Sequence, residues 1–170
     1  MKCPDCGHDN VSGTDECQDC GGSMWGVGPQ GSDIEQSIAA HPIHVLCPSE
    51  PMFVNPQTPV REVIAKMDKE KIGCVLVADG PHLAGIFSER DVLNKVSLDE
   101  SNLNRPVAEF MTRSPVTATK ADSIGFVLQT MDMGGYRHLP IVNSSNIATG
   151  IISARDILRF LAVKFAGSRD

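Results

Sequence analysis

The chain has 170 residues, enough for one compact domain or two small ones. At 41% hydrophobic and 21% charged, with a net charge of −6, it excludes a disordered chain and argues against a broad nucleic-acid footprint. No apolar run approaches the roughly 20 residues of a bilayer-crossing helix, and the first residues lack a secretory apolar core, so the expected setting is the cytoplasm with no membrane partner.

Four of the six cysteines fall at the start, as Cys3-x-x-Cys6-Gly7 and Cys17-x-x-Cys20-Gly21. Two intervening residues let both thiolates of a pair face one ion. A glycine after each pair tolerates the positive φ that aims backbone N–H groups at sulfur. In a reducing compartment this spacing points to metal before disulfide. Four thiolates suit tetrahedral zinc, with Cys3, Cys6, Cys17 and Cys20 as ligands. Iron in a rubredoxin-like site is the alternative ion. Residues 1–24 hold little other core, so the segment should not fold without metal. The pattern resembles short, double-knuckle zinc ribbons. His8 reads as an exposed turn residue, since four cysteines already fill the sphere.

Residues 26–33 are glycine-rich and read as a linker, and 33–40 as a short helix capped by Ser32 or Asp33. A first repeat then begins near Pro42. The pattern predicts a strand at Met52–Val54, a helix opened by Thr58 or Pro59 and running to Lys69, and strands at Gly73–Ala78 and Leu83–Phe87. A helix over Ser88–Val96 completes the unit. Cys74 reads as a small core residue, and His41, His44 and His82 as surface or loop residues.

Residues 97–105 join this unit to a second of the same order. It has a strand near Val116, a helix from Ala121 to Met133, strands at His138–Val142 and Thr149–Ile152, and a helix from Ser153. Ile157, Leu158, Leu161, Ala162 and Phe165 are its expected apolar face, with Leu158 and Phe165 in the core.

The two units are copies. Gly-Ile-Phe-Ser-Glu-Arg-Asp-Val-Leu at 85–93 matches Gly-Ile-Ile-Ser-Ala-Arg-Asp-Ile-Leu at 150–158 in six of nine positions, 65 residues apart. Upstream the offset is 64: Pro42 pairs with Pro106, Val63 with Val127 and Met67 with Met131. A one-residue indel is expected after Met67, making Ile72 and Gly73 the equivalents of Arg137 and His138. The stripe Val60, Val63, Ile64, Met67 recurs as Ile124, Val127, Leu128, Met131.

A tandem β-α-β-β-α unit carrying Gly-h-h-Ser-x-x-Asp (h, apolar), with Met-Thr-Arg-Ser-Pro-Val at 111–116 and Arg-His-Leu-Pro-Ile-Val at 137–142, resembles the cystathionine-β-synthase (CBS) domain over residues 42–166. The fold class this implies is α+β: two repeats packed about a pseudo-two-fold axis, preceded by a small zinc-ribbon module. The boundaries are 1–24 ribbon, 25–41 linker, 42–100 first repeat and 101–166 second repeat. The resemblance implies clefts that bind adenosine nucleotides (AMP, ADP, ATP or S-adenosylmethionine), a regulatory role and a homodimer. Asp91 and Asp156 would accept ribose hydroxyls, Ser88 and Ser153 would favour phosphate, and Arg137 and His138 would contact phosphate, often across the axis.

Ser-x-x-Asp is also a helix-capping signal, which explains both serines without a ligand. Arg90 and Arg155 could bind phosphate bidentately or be solvated helix charges. Gly85 and Gly150 admit a ligand's close approach or mark a bulge. The leading reading is a regulatory nucleotide sensor whose ribbon engages a protein partner. A nucleic-acid-binding ribbon is opposed by its acidic charge, and an iron redox protein is the third reading. No nucleophile–base pair or paired carboxylates suggest an enzyme.

Overall fold

The computed structural model describes residues 2, 3, 5–11, 14–22, 24 and 39–166, with residues 165 and 166 described by backbone alone. The chain divides into two units, Met1–His41 and Pro42–Asp170. The expected linker and all of the expected helix over 33–40 except Ala39 and Ala40, which are helical, lie outside the described residues.

In the first unit each Cys-x-x-Cys-Gly segment closes a tight turn. Gly7 N–H donates to the Cys3 carbonyl at 2.9 Å and Gly21 N–H to the Cys17 carbonyl at 2.9 Å. Both glycines sit at positive φ, 73° and 69°, which a side chain would disfavour.

The second unit is built on two sheets. The first has the order β1-β2-β3-β4, from β1 (Phe53–Val54), β2 (Cys74–Asp79), β3 (His82–Ser88) and β4 (Thr112–Arg113). Only the β1–β2 pairing is parallel. The second is the antiparallel pair β5 (His138–Val142) and β6 (Ala148–Ser153). Single bridges extend it, Ala118 parallel to Ile141 and Ser49 antiparallel to Ile151. The strand expected near Val116 is thus reduced to the bridge at Ala118. Val116 itself is exposed and turned away from the sheet core.

The helices are α1 (Val60–Glu70), α2 (Glu89–Asp91, continued as a π turn over Val92–Val96), α3 (Ile124–Gly134) and α4 (Ala154–Ala166). On α1 the stripe Val60, Val63 and Met67 is buried, and on α3 its copy Ile124, Val127 and Met131. Pro59 caps α1 from outside rather than opening it. Leu128 is 41% exposed and Leu158 on α4 65%, so the expected core place of Leu158 is corrected. Ile157 takes the buried position because a helix packed on one sheet face buries a narrow stripe, and the next residue is turned about 100° away from it. The Phe165 side chain lies outside the described residues.

The packed halves are not the linear repeats. Ile43 and Leu46, from the start of the first repeat, pack with Ile124, Val127, Ile141 and Ile152 of the second. Val107, Phe110 and Met111, from the start of the second, pack with Val63, Val75 and Phe87 of the first. The two lead segments are exchanged, and β4 and the Ser49 bridge are their edges on the sheets. A third cluster, Leu76, Val142 and Ala148 with Leu83, Ile86 and Ile151, joins the two sheets.

The structure also moves the indel. Lys71 and Gly135 both end their helices in the left-handed region, at φ 55° and 63°. Cys74 pairs with Ser88 as His138 pairs with Ser153. The extra residue therefore lies in the hairpin, where Ala78 faces Leu83 but Val142 faces Ala148. The equivalents of Arg137 and His138 are Gly73 and Cys74, not Ile72 and Gly73.

Candidate functional site

A cleft of about 610 Å³ opens in the second unit. One wall comes from the first repeat's motif: Ser88, Glu89, Arg90 and Asp91, with Ile86 beneath and Leu93 beyond. The facing wall comes from the second repeat's sequence: Ser114, Pro115 and Val116, and then Tyr136, Arg137 and His138. The basic pair thus reaches the first repeat's motif across the pair of sheets. Sequence order alone could not assign it, because the assignment depends on how the repeats pack.

Asp91 is 7% exposed. Its Oδ2 accepts from the Ser88 N–H at 2.9 Å and from the Ser88 hydroxyl at 2.7 Å; the first of these bonds, with the Asp91 N–H facing the Ser88 hydroxyl oxygen, makes a capping box. Its Oδ1 takes the Lys95 ammonium at 2.6 Å and the Thr112 hydroxyl at 3.4 Å. Lys95 also donates to the Phe110 carbonyl at 2.8 Å, so one cation ties motif and exchanged segment together. In the second repeat Asp156 Oδ2 accepts from the Ser153 N–H at 2.8 Å and hydroxyl at 2.7 Å. Its other oxygen has a looser partner, Arg159 at 3.7 Å. The capping alternative therefore describes both serines.

Arg90 crosses the cleft to donate to the Gly135 carbonyl at the end of α3. Gly73 has no Cβ where the His138 ring approaches: an added carbon would stand 3.0 Å from its Cε1 and 3.4 Å from Glu89 Oε2. Burial pushes the His138 imidazole below its ordinary value, while Glu89 and Asp156 pull it up and Arg155 and Arg137 add to the lowering. Burial, with the Glu89 charge, drives the Cys74 thiol up to about 12, as suits a core residue. The cleft therefore brings the Arg90 and Arg137 guanidinium groups and the His138 imidazole together with the Glu89 and Asp91 carboxylates, beside the apolar Ile86, Leu93 and Val116.

Gly85 and Gly150 do not line this cleft. A Cβ on Gly85 would meet Met111 Sδ at 2.6 Å and the Thr112 carbonyl at 2.7 Å, and one on Gly150 would meet Pro48 Cβ at 3.2 Å. These glycines admit the exchanged segments. Ser153, Arg155 and Asp156 lie at the equivalent place in the other half, where Gly73 and Cys74 stand for the basic pair. Sequence reasoning missed Glu89, Lys95, Thr112 and Tyr136, none of which repeats: their counterparts in the other copy are Ala154, Phe160, Pro48 and Ile72.

In the first unit the Sγ atoms of Cys3, Cys6, Cys17 and Cys20 lie within 4.8 Å of one another. Cys3 and Cys20 are 3.6 Å apart, as are Cys6 and Cys17. A tetrahedron with metal–sulfur bonds of about 2.3 Å has edges of roughly 3.8 Å, so the set fits one ion. The Cys20 N–H, then the Asn10 amide, hold Cys17 down at about 6 against burial. The His8 N–H also pulls Cys6 down, but its neighbouring sulfurs and burial push it up to about 12. Four thiols this close cannot all ionise without a cation among them.

A family model described as CBS domain matches residues 44–98 and 107–163. A curated relative, an uncharacterized 17.7 kDa protein of Acidianus ambivalens, is 31% identical over 109 residues, or 64% of this chain and 65% of that one. The chain spans from 33% to 65% of the lengths of the first curated relatives it matches. Among solved structures, the CBS-domain containing protein ATU1752 of Agrobacterium tumefaciens has a TM-score of 0.67 at 25% identity, covering 71% of this chain and 99% of that one. The CBS domain pair of protein MJ0100, in complex with 5′-methylthioadenosine and S-adenosyl-L-methionine, has a TM-score of 0.67 at 20% identity, covering 74% and 98%. At that identity the likeness is one of fold.

Proposed function

The chain belongs to the CBS-domain family, whose model accounts for residues 44–98 and 107–163, and we propose that it is a regulatory protein sensing an adenosine-containing nucleotide. The observation that carries this reading is the meeting of Arg90, Arg137 and His138 with Ser88 and Asp91 around one cleft. The adenosine-type ligands of the MJ0100 pair, a protein of like fold, are consistent with it. The base lies against the apolar side of the cleft and the phosphate faces the two guanidinium groups. The half carrying Ser153, Arg155 and Asp156 is a second, weaker site, because Gly73 and Cys74 supply no cation there. The first unit holds one zinc ion through Cys3, Cys6, Cys17 and Cys20 and serves as the docking module for a protein partner. Two copies associate through helix faces that leave Phe126, Met133, Leu158 and Val163 exposed.

Substitution tests the cleft. A charge-assisted bond to phosphate contributes about 1.5–3 kcal/mol, or roughly tenfold or more in affinity. Arg137→Ala should weaken AMP by that factor in calorimetry and leave adenosine nearly unchanged. Equal losses for the two ligands would remove Arg137 from phosphate binding and refute the unequal clefts.

A further inference from the structure

Among its described residues the first unit buries a small apolar cluster, Cys3, Cys17 and Met24. A polar side chain is buried with it: Asn10, 5% exposed. An amide has two N–H donors and an acceptor oxygen. Asn10 Oδ1 accepts the Gln18 N–H at 2.8 Å. Its Nδ2 donates to the His8 carbonyl at 3.1 Å and lies 3.4 Å from Cys17 Sγ, closer than the 3.8 Å to Met24 Sδ.

The partners belong to both knuckles. The His8 carbonyl also accepts the Cys3 N–H at 2.9 Å and so closes the first turn. Gln18 lies between Cys17 and Cys20 in the second. Asn10 therefore holds the two turns in register and aims a donor at one of the four sulfurs.

We infer that Asn10 is a positioning residue of the metal centre, acting on the ion through Cys17. The inference rests on the four-cysteine metal reading. An N–H donor on a thiolate withdraws charge from sulfur, fixes the direction of its remaining lone pairs and makes it less reactive toward protons and electrophiles. Groups that orient metal ligands in this way commonly change metal affinity by about 10–100-fold. Nothing in the Cys-x-x-Cys spacing marks Asn10; the fold brings it to Cys17.

The test uses the full chain and two variants. Asn10→Ala removes both the brace and the donor. Asn10→Asp keeps an oxygen for the Gln18 N–H but turns a carboxylate toward Cys17. Three quantities are read: zinc affinity by chelator competition, the thiolate-to-metal charge-transfer band after cobalt substitution, and the alkylation rate of each cysteine with iodoacetamide by mass spectrometry. Both variants should lose about tenfold or more in zinc affinity, Asn10→Asp the more. Both should shift the cobalt band and raise the alkylation rate of Cys17 by a larger factor than that of the other three cysteines. Unchanged values in both variants overturn the inference. So does lost affinity with an unmoved band and no preference for Cys17, which is the behaviour of a brace alone. A wild-type chain that takes up neither zinc nor cobalt refutes the metal centre itself, a result distinct from failure of Asn10.

Discussion

Lys95 Nζ lies 2.6 Å from Asp91 Oδ1 and 2.8 Å from the Phe110 carbonyl oxygen. A carboxylate as buried as Asp91 needs that cation, and the exchanged segment gains an anchor from it. Lys95 is partly open to water, so the pair contributes less than a fully buried one. Lys95→Met should lower the urea-unfolding free energy of the second unit by about 1–2 kcal/mol. The matching Phe160→Met should cost less, since no carboxylate depends on it. His138 gives a pH signature. Its folded pKa lies below the ordinary 6.5, so its contribution to stability is present above pH 6.5 and is lost as pH falls through the folded value. Its charge partners are Glu89 and Asp156, which favour protonation, and Arg155 and Arg137, which oppose it. His138→Gln should therefore flatten the acid side of the stability profile, measured by chemical denaturation at several pH values.

At the scale of elements, the motif glycines show where pattern and packing part. The sequence marks Gly85 and Gly150 as special, and they are, but the neighbour is the protein's own exchanged segment. A methyl group on Gly85 would press on the Thr112 backbone carbonyl, which cannot swing aside as the Met111 side chain can. Gly85→Ala should cost roughly 2 kcal/mol in the second unit by denaturant unfolding. The strands β2, β3, β5 and β6 and helices α1 and α3 were legible because their apolar periods are strong. The fourth strand was not, because Thr112 and Arg113 are exposed edge residues with no apolar signal. Leu158 misled because the apolar residues of α4 outnumber the positions its sheet can cover. In the first unit Cys3→Ser or Cys20→Ser should abolish metal uptake and unfold that unit alone, leaving the second unit's thermal transition in place. Stoichiometric zinc in both variants would contradict a four-cysteine site.

For the whole molecule, duplication was legible in the linear sequence and reciprocal exchange was not. The repeat tells which residues are equivalent; it does not tell which half each lead segment joins. Packing of the two sheets against each other through Leu76, Val142 and Ala148 brings Arg137 and His138 to the cleft of Ser88 and Asp91. The clefts are unequal because Gly73 and Cys74 stand where Arg137 and His138 do, one residue on from the equivalents expected of the sequence, since the extra residue lies in the hairpin. The central claim is that this asymmetric cleft takes an adenosine nucleotide by its phosphate. Titration calorimetry of the full chain with AMP and with adenosine tests it most directly. The account predicts one tight AMP site per chain, with adenosine weaker by roughly tenfold or more. No heat from AMP, ADP, ATP or S-adenosylmethionine, or two AMP sites of equal affinity, would contradict it.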